Sequence, residues 1–262
     1  SPCKNEQMSK PIPVWEPLSP EVLADQLGAY DRMRAGCALA ESPRGVTLFR
    51  HADVVAAARD PQTFSSASSA RRAVPNALDP PEHAAWRELV DAFFAPAHIT
   101  ALEPRVRAIA DAVVAALPRG TNVDAVAEIG APFAVRAQTD WLGWQGIEGE
   151  LLAWMADNHV ATRSGDQAQT AAVAAVFDEI IRAQLRRRRK LGAAAPVDPT
   201  TALLAATLDG QPLSEADIVS ILRNWTAGDL ASMAAALGVV VWFLATHPDV
   251  QRELRQQPEG LA

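Results

Sequence analysis

Two cationic side chains, His83 and Arg87, stand four residues apart in a segment whose pattern predicts a helix. Side chains with this spacing lie on one helical face. A helix that docks through aromatic side chains and presents two cationic donors suits a buried carboxylate, which arginine binds through two parallel hydrogen bonds. The alternative is a solvent-exposed pairing with neighbouring acids: Glu82, Glu88 or Asp91. The apolar stripe that would dock this helix consists of Trp86, Val90, Phe93 and Phe94.

Two small residues, Ala227 and Gly228, occur together inside the long helix predicted over residues 214–246. Glycine within a helix costs about 1 kcal/mol relative to alanine. Its presence therefore predicts that something flat passes close to the helix and needs the room that a side chain would take. Close packing of a second helix is the alternative, because it also favours small residues.

Composition and motifs argue against several classes of function. The net charge of −7 argues against a nucleic-acid-binding surface over the whole chain. The sequence has no GxSxG, P-loop, GxGxxG or HExxH pattern, so hydrolase, nucleotide-binding and zinc-protease functions lack support. One basic run, residues 186–190, ends a helical pattern, where it complements the helix dipole and is expected to stay solvated. An RNA or membrane patch is the alternative for that run.

The cysteines and the apolar segments favour a cytoplasmic protein. The two cysteines, Cys3 and Cys37, form neither a disulfide framework nor a paired zinc spacing. Residues 1–10 lack the apolar core of a signal peptide. The apolar stretch over residues 230–245 is shorter than the roughly 20 residues that span a bilayer. We therefore expect a buried core helix there and no membrane association.

Helical periodicity dominates the chain. A first helix is predicted over residues 19–34, and a turn sequence at residues 42–45 predicts a small β-hairpin. A short helix is predicted over residues 52–59. Residues 62–78 show no periodicity and form a long loop, and such loops are often functional. The first helix is predicted to present an apolar face of Leu23, Leu27 and Tyr30.

Further helices lead to the long apolar one. Asp79 followed by two prolines predicts the start of the helix that carries His83. Ser214 is a good N-cap for the long helix, which is apolar on all sides from Leu230 onward and is expected to run through the core. An amphipathic helix is predicted by the spacing of Val106, Ile109, Ala110, Val113, Val114 and Leu117. Other helices are predicted over residues 132–142, 149–163 and 167–190, the last two as an αα-hairpin, with a short helix near Leu203.

Three segments, in this order and at this spacing, resemble the cytochrome P450 family. Residues 79–87, DPPEHAAWR, and the following FFAP at 93–96 resemble the family's C helix. The Ala227–Gly228 step is similar to that of its I helix, and LATHPD at 244–249 resembles the next junction. The resemblance implies a mainly α fold with helices A to I and a small N-terminal β-sheet. Residues 1–262 would be the N-terminal part of one haem-thiolate domain, with 1–18 as an extended segment.

The resemblance also implies a cofactor, haem b, and the residues that hold it. His83 and Arg87 would bind a haem propionate. The macrocycle would contact Ala227, Gly228 and Ala231. Substrate is expected to contact the loop at 71–78, the helix at 149–163 and the long helix at 224–231. The candidate substrate-binding residues are Val74, Leu78, Asn224 and Ala227, while Trp225 would either face the pocket or pack in the core.

One departure from the family concerns proton delivery. Most members carry an acid and an alcohol at the positions of Leu230 and Ala231, which can neither donate nor relay a proton. Asp229 and Ser232 are therefore the candidate catalytic residues. A one-residue bulge in the helix would bring either of them toward the haem.

A second departure concerns the iron ligand. Neither Cys3 nor Cys37 matches the position of the family's axial cysteine, which is expected beyond Ala262. The thiolate drives the oxygen chemistry, so the 262-residue chain alone is expected to be inactive.

Three functions follow from these residues. The first is a monooxygenase that inserts one atom of O₂ into a small organic substrate, with electrons from a ferredoxin-type or flavodoxin-type partner. The second, motivated by Leu230 and Ala231, is a haem-thiolate peroxygenase or reductive enzyme. The third is a non-enzymatic helical scaffold or inactive fragment that holds no haem.

Overall fold

The computed structural model describes residues 11–42, 45–67 and 73–257. The described chain is mainly α-helical, as the sequence predicts, with two small antiparallel β-hairpins. The sequence predicts the first hairpin and misses the second, which lies in a stretch expected to be a connecting loop. Its backbone divides into two compact units, residues 1–68 and 69–262.

Within its described residues, the first unit contains three helices and one hairpin: α1 (Pro20–Ala24), α2 (Gln26–Gly36), β1 (Leu39–Ser42), β2 (Gly45–Leu48) and α3 (His51–Ala58). The predicted hairpin is confirmed, with Leu39 opposite Leu48. The prediction of one helix over residues 19–34 is wrong, because Asp25 leaves the helical conformation and its carboxylate accepts the amide of Gly28 to cap α2. This break also overturns the predicted face, since Leu23 and Leu27 are exposed.

An aromatic cluster forms the core of the first unit. Trp15 packs edge-on against Tyr30 and Phe49, with ring centroids 5.0 and 5.2 Å away. The backbone around Trp15 pairs with β1, since its amide donates to the carbonyl of Glu41 at 2.7 Å. Of the extended segment predicted over residues 1–18, residues 1–10 lie outside the described residues, and the rest runs without a helix to this bridge.

The second unit contains the helices that carry the predicted site. They are α4 (Glu82–Asp91), α5 (Pro96–Ala115), α6 (Ala131–Leu142), α7 (Glu148–Ser164), α8 (Gln167–Leu191), α9 (Pro199–Ala205), α10 (Glu215–Thr246) and α11 (Pro248–Gln256). Strands β3 (Thr207–Leu208) and β4 (Gln211–Pro212) form the second hairpin, and a π-helix, Ala125–Gly130, leads directly into α6. The αα-hairpin of α7 and α8 and the short helix at Leu203 are confirmed. The predicted start of α4 at Asp79 is wrong, because Pro81 is the N-cap.

The long helix α10 has two halves with different surroundings. Its first half is buried in the core through Ile218, Val219, Ile221 and Leu222. Its second half contradicts the prediction of a fully buried helix, because Val239 is 63% exposed and Trp242 is 64% exposed. By length and composition α10 is the one helix of the described chain that could cross a membrane, a criterion that core helices of soluble proteins also meet.

One stripe of the second half of α10 is nevertheless tightly packed. Leu230, Ala234 and Gly238, spaced four apart, are buried. A Cβ at Gly130 of the π-helix would collide with the backbone of Ala234, and one at Gly238 would lie 2.5 Å from Cγ2 of Val126. The described elements therefore cover one side of this apolar half and leave the others exposed.

The basic run at the end of α8 is not uniformly solvated, which corrects the expectation from the sequence. Arg188 is 3% exposed, and its guanidinium donates to the carboxylate of Asp198 at 2.7 Å and to the carbonyl of Gly143. Asp198 also caps α9 by accepting the amide of Thr201. The pair thus joins the ends of α6 and α8 to the start of α9.

The backbone at Gly143 is shaped for this contact. Its φ of +74° lies in the left-handed region that glycine adopts without strain. A Cβ there would also collide with the carboxylate of Asp198. Beside it, the indole of Trp144 donates to the hydroxyl of Thr200 at 2.8 Å, and this hydroxyl donates to the carbonyl of Leu142 at 2.7 Å.

We predict that Arg188→Met lowers the free energy of unfolding by about 3–5 kcal/mol, because it leaves the carboxylate of Asp198 buried without its partner. Urea unfolding followed by circular dichroism measures the change. Arg187→Met is the matched control, since Arg187 is the exposed neighbour in the same turn, and it should change stability by less than about 0.5 kcal/mol. Equal effects of the two substitutions would contradict the assignment.

We also predict opposite effects for two glycine substitutions. Gly130→Ala should destabilise the chain by about 1–3 kcal/mol, because the backbone of Ala234 cannot yield. Gly228→Ala should stabilise it by about 0.5–1 kcal/mol, because a Cβ at Gly228 meets no described atom within 4 Å and alanine favours the helix. Thermal and urea unfolding of both variants test this, and a destabilising Gly228→Ala would show that close packing explains that glycine.

Candidate functional site

Helix α4 presents His83 and Arg87 because its other face is anchored in the core. Trp86 is 4% exposed and Val90 is 2% exposed, and both belong to the main apolar cluster. The two cationic residues lie one turn apart, with His83 half-buried and Arg87 exposed. The predicted separation of an apolar face and a cationic face is therefore confirmed.

Arg87 forms an ion pair with Asp91 one turn further along α4. This is the solvent-exposed pairing that the sequence left as an alternative. The two side chains are 45% and 55% exposed. Pairs of this kind contribute about 0–1 kcal/mol, so the guanidinium can turn to another carboxylate at little cost.

The imidazole of His83 makes no hydrogen bond or ion pair with residues 11–42, 45–67 or 73–257. Its nitrogens are not among the buried side-chain atoms that lack a partner, so solvent reaches them. An additional acceptor can therefore bind His83 without displacing a protein contact.

The face of α10 at Gly228 is open. A Cβ built on Gly228 has no described atom within 4 Å, whereas Gly130 and Gly238 lie in close helix contacts. The close-packing alternative therefore holds at those two glycines and fails at Gly228 within the described chain. Ala227 is partly buried against the core, and Ala231 is exposed.

The positions that replace the family's acid and alcohol have no proton-relay capacity. Leu230 is fully buried in the core, and the side chain of Ala231 is a methyl group. Helix α10 is a continuous α-helix from Glu215 to Thr246, so the bulge predicted to reorient Asp229 or Ser232 is absent from it.

Asp229 and Ser232 occupy the exposed side of this turn. Burial of the carboxyl by nearby protein raises the pKa of Asp229 above its ordinary value, although the residue is exposed overall. The hydroxyl of Ser232 donates to the carbonyl of Asp229 at 3.2 Å. Of the two candidates, Asp229 is therefore the group that can gain and release a proton, while Ser232 is engaged with its own helix.

The predicted substrate residues Val74 and Asn224 come together, although their side chains do not line an open pocket. Val74 is fully buried, and the side-chain amide of Asn224 donates to its carbonyl at 2.7 Å. The amide of Val74 donates to the hydroxyl of Ser220 at 2.8 Å. Sequence reasoning missed Ser220, although a serine one turn before Asn224 in an apolar stretch was an available signal. Leu78 is partly buried against the same core, and residues 71–72 of the predicted loop lie outside the described residues.

Trp225 packs in the core and joins α4 to α10. Its ring lies 5.1 Å from Phe93, 5.4 Å from Phe94 and 5.2 Å from Trp141. Phe93 and Phe94 lie in a 3-10 turn, Ala92–Phe94, directly after α4, so these contacts hold the C-terminal end of α4 against α10.

A surface cavity of about 530 Å³ lies elsewhere, between α5, α6 and residues 196–199. It is lined by Phe93, Leu102, Trp141, Val197 and the ion pair of Arg105 with Asp140, among others. The predicted cofactor and substrate residues do not line it. This cavity is therefore separate from the candidate site.

The described residues contain no cluster of three His, Cys, Asp or Glu side chains that could hold a metal ion. Cys37 is a free thiol at the C-cap of α2 in the first unit. Cys3 lies outside the described residues.

Comparison with known proteins places the chain among bacterial haem proteins. It is 29% identical to the probable cytochrome P450 127A1 of Sinorhizobium fredii over 212 residues, 77% of this chain and 50% of that protein. It is 30% identical to cytochrome P450 130 of Mycobacterium tuberculosis over 236 residues, 82% of this chain and 56% of that protein. The open cytochrome P450 Eryk from S. erythraea superimposes with a TM-score of 0.76 at 25% identity, covering 89% of this chain and 62% of that one.

The similarity to these proteins is limited in extent. No protein-family model matches the chain. The chain spans about half the length of the curated relatives it matches. Both the sequence relatives and the structural neighbours are nevertheless P450s, and the fold agrees with theirs. The chain therefore belongs to the cytochrome P450 family, of whose members it represents a part.

Proposed function

We propose that the chain forms the cofactor-facing part of a haem-dependent monooxygenase that inserts one atom of O₂ into a small organic substrate. The observation that carries this proposal is the open turn of α10 at Gly228, on a helix whose other glycine, Gly238, is closely packed. Membership of the P450 family supports the same conclusion, since relatives include an epoxidase and a monooxygenase by name.

The residues present fit haem b. His83 and Arg87 offer two donors on one face of α4 for a propionate, and the exposed pair with Asp91 holds Arg87 weakly. Gly228 and Ala231 offer an exposed surface of small apolar residues on α10, with Ala227 beside them. Haem, when bound, supplies the activation of molecular oxygen.

The residues of this turn differ in their capacity to carry a proton. Leu230 is buried in the core and Ala231 has only a methyl group, so neither carries a proton. Burial raises the pKa of Asp229, which makes its carboxyl easier to protonate than an ordinary aspartate. Delivery of that proton toward the reacting face then requires a water chain or a polar group of the substrate, because α10 has no bulge to bring the carboxyl closer.

The absence of an acid and an alcohol at Leu230 and Ala231 specifically favours a second candidate, a peroxygenase or a reductive haem enzyme. With hydrogen peroxide as the oxidant the enzyme would need no proton delivery to oxygen. Turnover with hydrogen peroxide, compared with turnover with reduced nicotinamide and a reductase, distinguishes the two candidates.

The expected partners follow from the leading candidate. A monooxygenase of this kind receives electrons from a ferredoxin-type or flavodoxin-type donor and works in the cytoplasm on a small organic substrate. The apolar second half of α10 is then a surface for the rest of a haem domain rather than for lipid or nucleic acid.

We predict that His83→Ala and Arg87→Ala each weaken haem binding about tenfold, about 1.4 kcal/mol, because each removes one charge-assisted hydrogen bond to a propionate. Titration with ferric haem measures the affinity through the Soret band and the quenching of tryptophan fluorescence. Arg107→Ala is the matched control, because Arg107 forms the same exposed i, i+4 type of pair with Glu103 on α5.

Two results would contradict the proposal. An intact protein that carries its cysteine ligand and acquires no Soret band at any haem concentration has no haem site. Equal weakening by Arg107→Ala and Arg87→Ala would show that loss of positive charge, rather than a contact with the propionate, accounts for the effect.

A further inference from the structure

Ser220, Asn224 and Gly228 form a single stripe along α10. They are spaced four residues apart, so they share one face of the helix. The first two are polar side chains in an apolar helix, and both bond to the backbone of one residue, Val74. The third is the open position of the candidate site.

The two bonds satisfy the backbone of Val74 completely. Its amide donates to the hydroxyl of Ser220 at 2.8 Å, and its carbonyl accepts from the side-chain amide of Asn224 at 2.7 Å. Val74 is fully buried and Ser220 is 2% exposed, so water cannot replace either partner. Buried backbone groups of this kind are costly to leave unpaired, so the residue is held firmly in its register on α10.

Val74 lies near the start of segment 73–78, which is the last part of the loop predicted over residues 62–78. Beyond Val74 the chain turns, with the amide of Leu78 donating to the carbonyl of Pro75 at 3.1 Å, and then enters α4. Gly228 lies only one helical turn beyond Asn224, about 6 Å along the axis. A ligand on the open turn of α10 therefore lies next to the segment that Ser220 and Asn224 hold.

We propose that Ser220 and Asn224 are positioning residues that fix segment 73–78 as a wall of the ligand site beside Gly228, a role that rests on the proposed haem function. The clamp determines which ligands fit beside the haem because it fixes the wall without contributing a side chain to the pocket. Asn224 accordingly acts through the backbone of Val74 and is not a direct substrate ligand, unlike the role expected from its position in the sequence.

The first test measures the clamp itself in the 262-residue chain. Ser220→Ala and Asn224→Leu should each speed amide hydrogen exchange at residues 74–78 at least tenfold, measured by NMR. Thr226→Val is the matched control. Thr226 is equally buried on the same helix, but its hydroxyl donates to the carbonyl of Leu222 within α10. The control should leave exchange at residues 74–78 unchanged, and an equal increase in Thr226→Val would overturn the clamp.

The second test measures ligand selection in the haem-loaded protein with two azoles of different size. Optical titration gives dissociation constants for imidazole, which needs little room, and for 4-phenylimidazole, whose phenyl group reaches the wall. Ser220→Ala and Asn224→Leu should weaken 4-phenylimidazole at least fivefold relative to imidazole and leave the imidazole constant within twofold. Thr226→Val should change neither constant.

The outcomes separate the two proposals. If the azole ratio stays constant while exchange at residues 74–78 rises, the clamp has no role in ligand selection and the inference is overturned. If the intact protein with its cysteine ligand takes up no haem, the proposed function fails, and the role in ligand selection fails with it. The exchange result in the 262-residue chain still decides whether Ser220 and Asn224 hold Val74. Two variants that act through different atoms guard against a misfolded single variant, which circular dichroism would reveal.

Discussion

The structure depends on the unequal burial of one helix. The first half of α10 lies in the main core, where Ile218, Ile221 and Leu222 pack among the other helices. The second half is held along one stripe, through Gly238 and the contact of Gly130 with the backbone of Ala234. Contacts on both sides hold the helix in place, while the turn at Gly228 stays open within the described chain. Small residues at an open turn leave the room that a flat cofactor needs.

Two further contacts hold the helices around α10 in place. The buried pair of Arg188 and Asp198 joins α6, α8 and α9 into a scaffold, because each partner alone would be a buried unpaired charge. The aromatic contact between Phe93 and Trp225 ties α4 to α10 and so sets the distance from the cationic face to the open turn. The cationic face of α4 and the open turn of α10 are thus positioned before any haem binds. Such preorganisation lowers the entropy cost of binding.

The sequence could predict the helices, the first hairpin, the extent of α10 and the shared face of His83 and Arg87, because periodicity and capping are local. It could not predict the exposure of Trp242, since burial depends on what packs against a helix and not on the helix's composition. The burial of Arg188 was equally hidden, because nothing distinguishes it from Arg187 until Asp198 is brought beside it by the fold. At Asp25 the chain can either continue the first helix or end it and cap the next one. Helix propensity alone does not decide between these two conformations. The roles of the predicted site residues stay predictions, supported by their placement.

The central proposal is that the turn of α10 at Gly228 and the side chains of His83 and Arg87 would hold haem between them. Ferric haem is paramagnetic and broadens NMR signals of nearby nuclei, so an amide spectrum of the haem-loaded protein tests this contact directly. The account predicts that broadening is strongest at Ala227–Ala231 and present at His83 and Arg87, while the amides of α8 near Arg182 stay sharp. Sharp signals at Gly228 in a protein that has bound haem would contradict it.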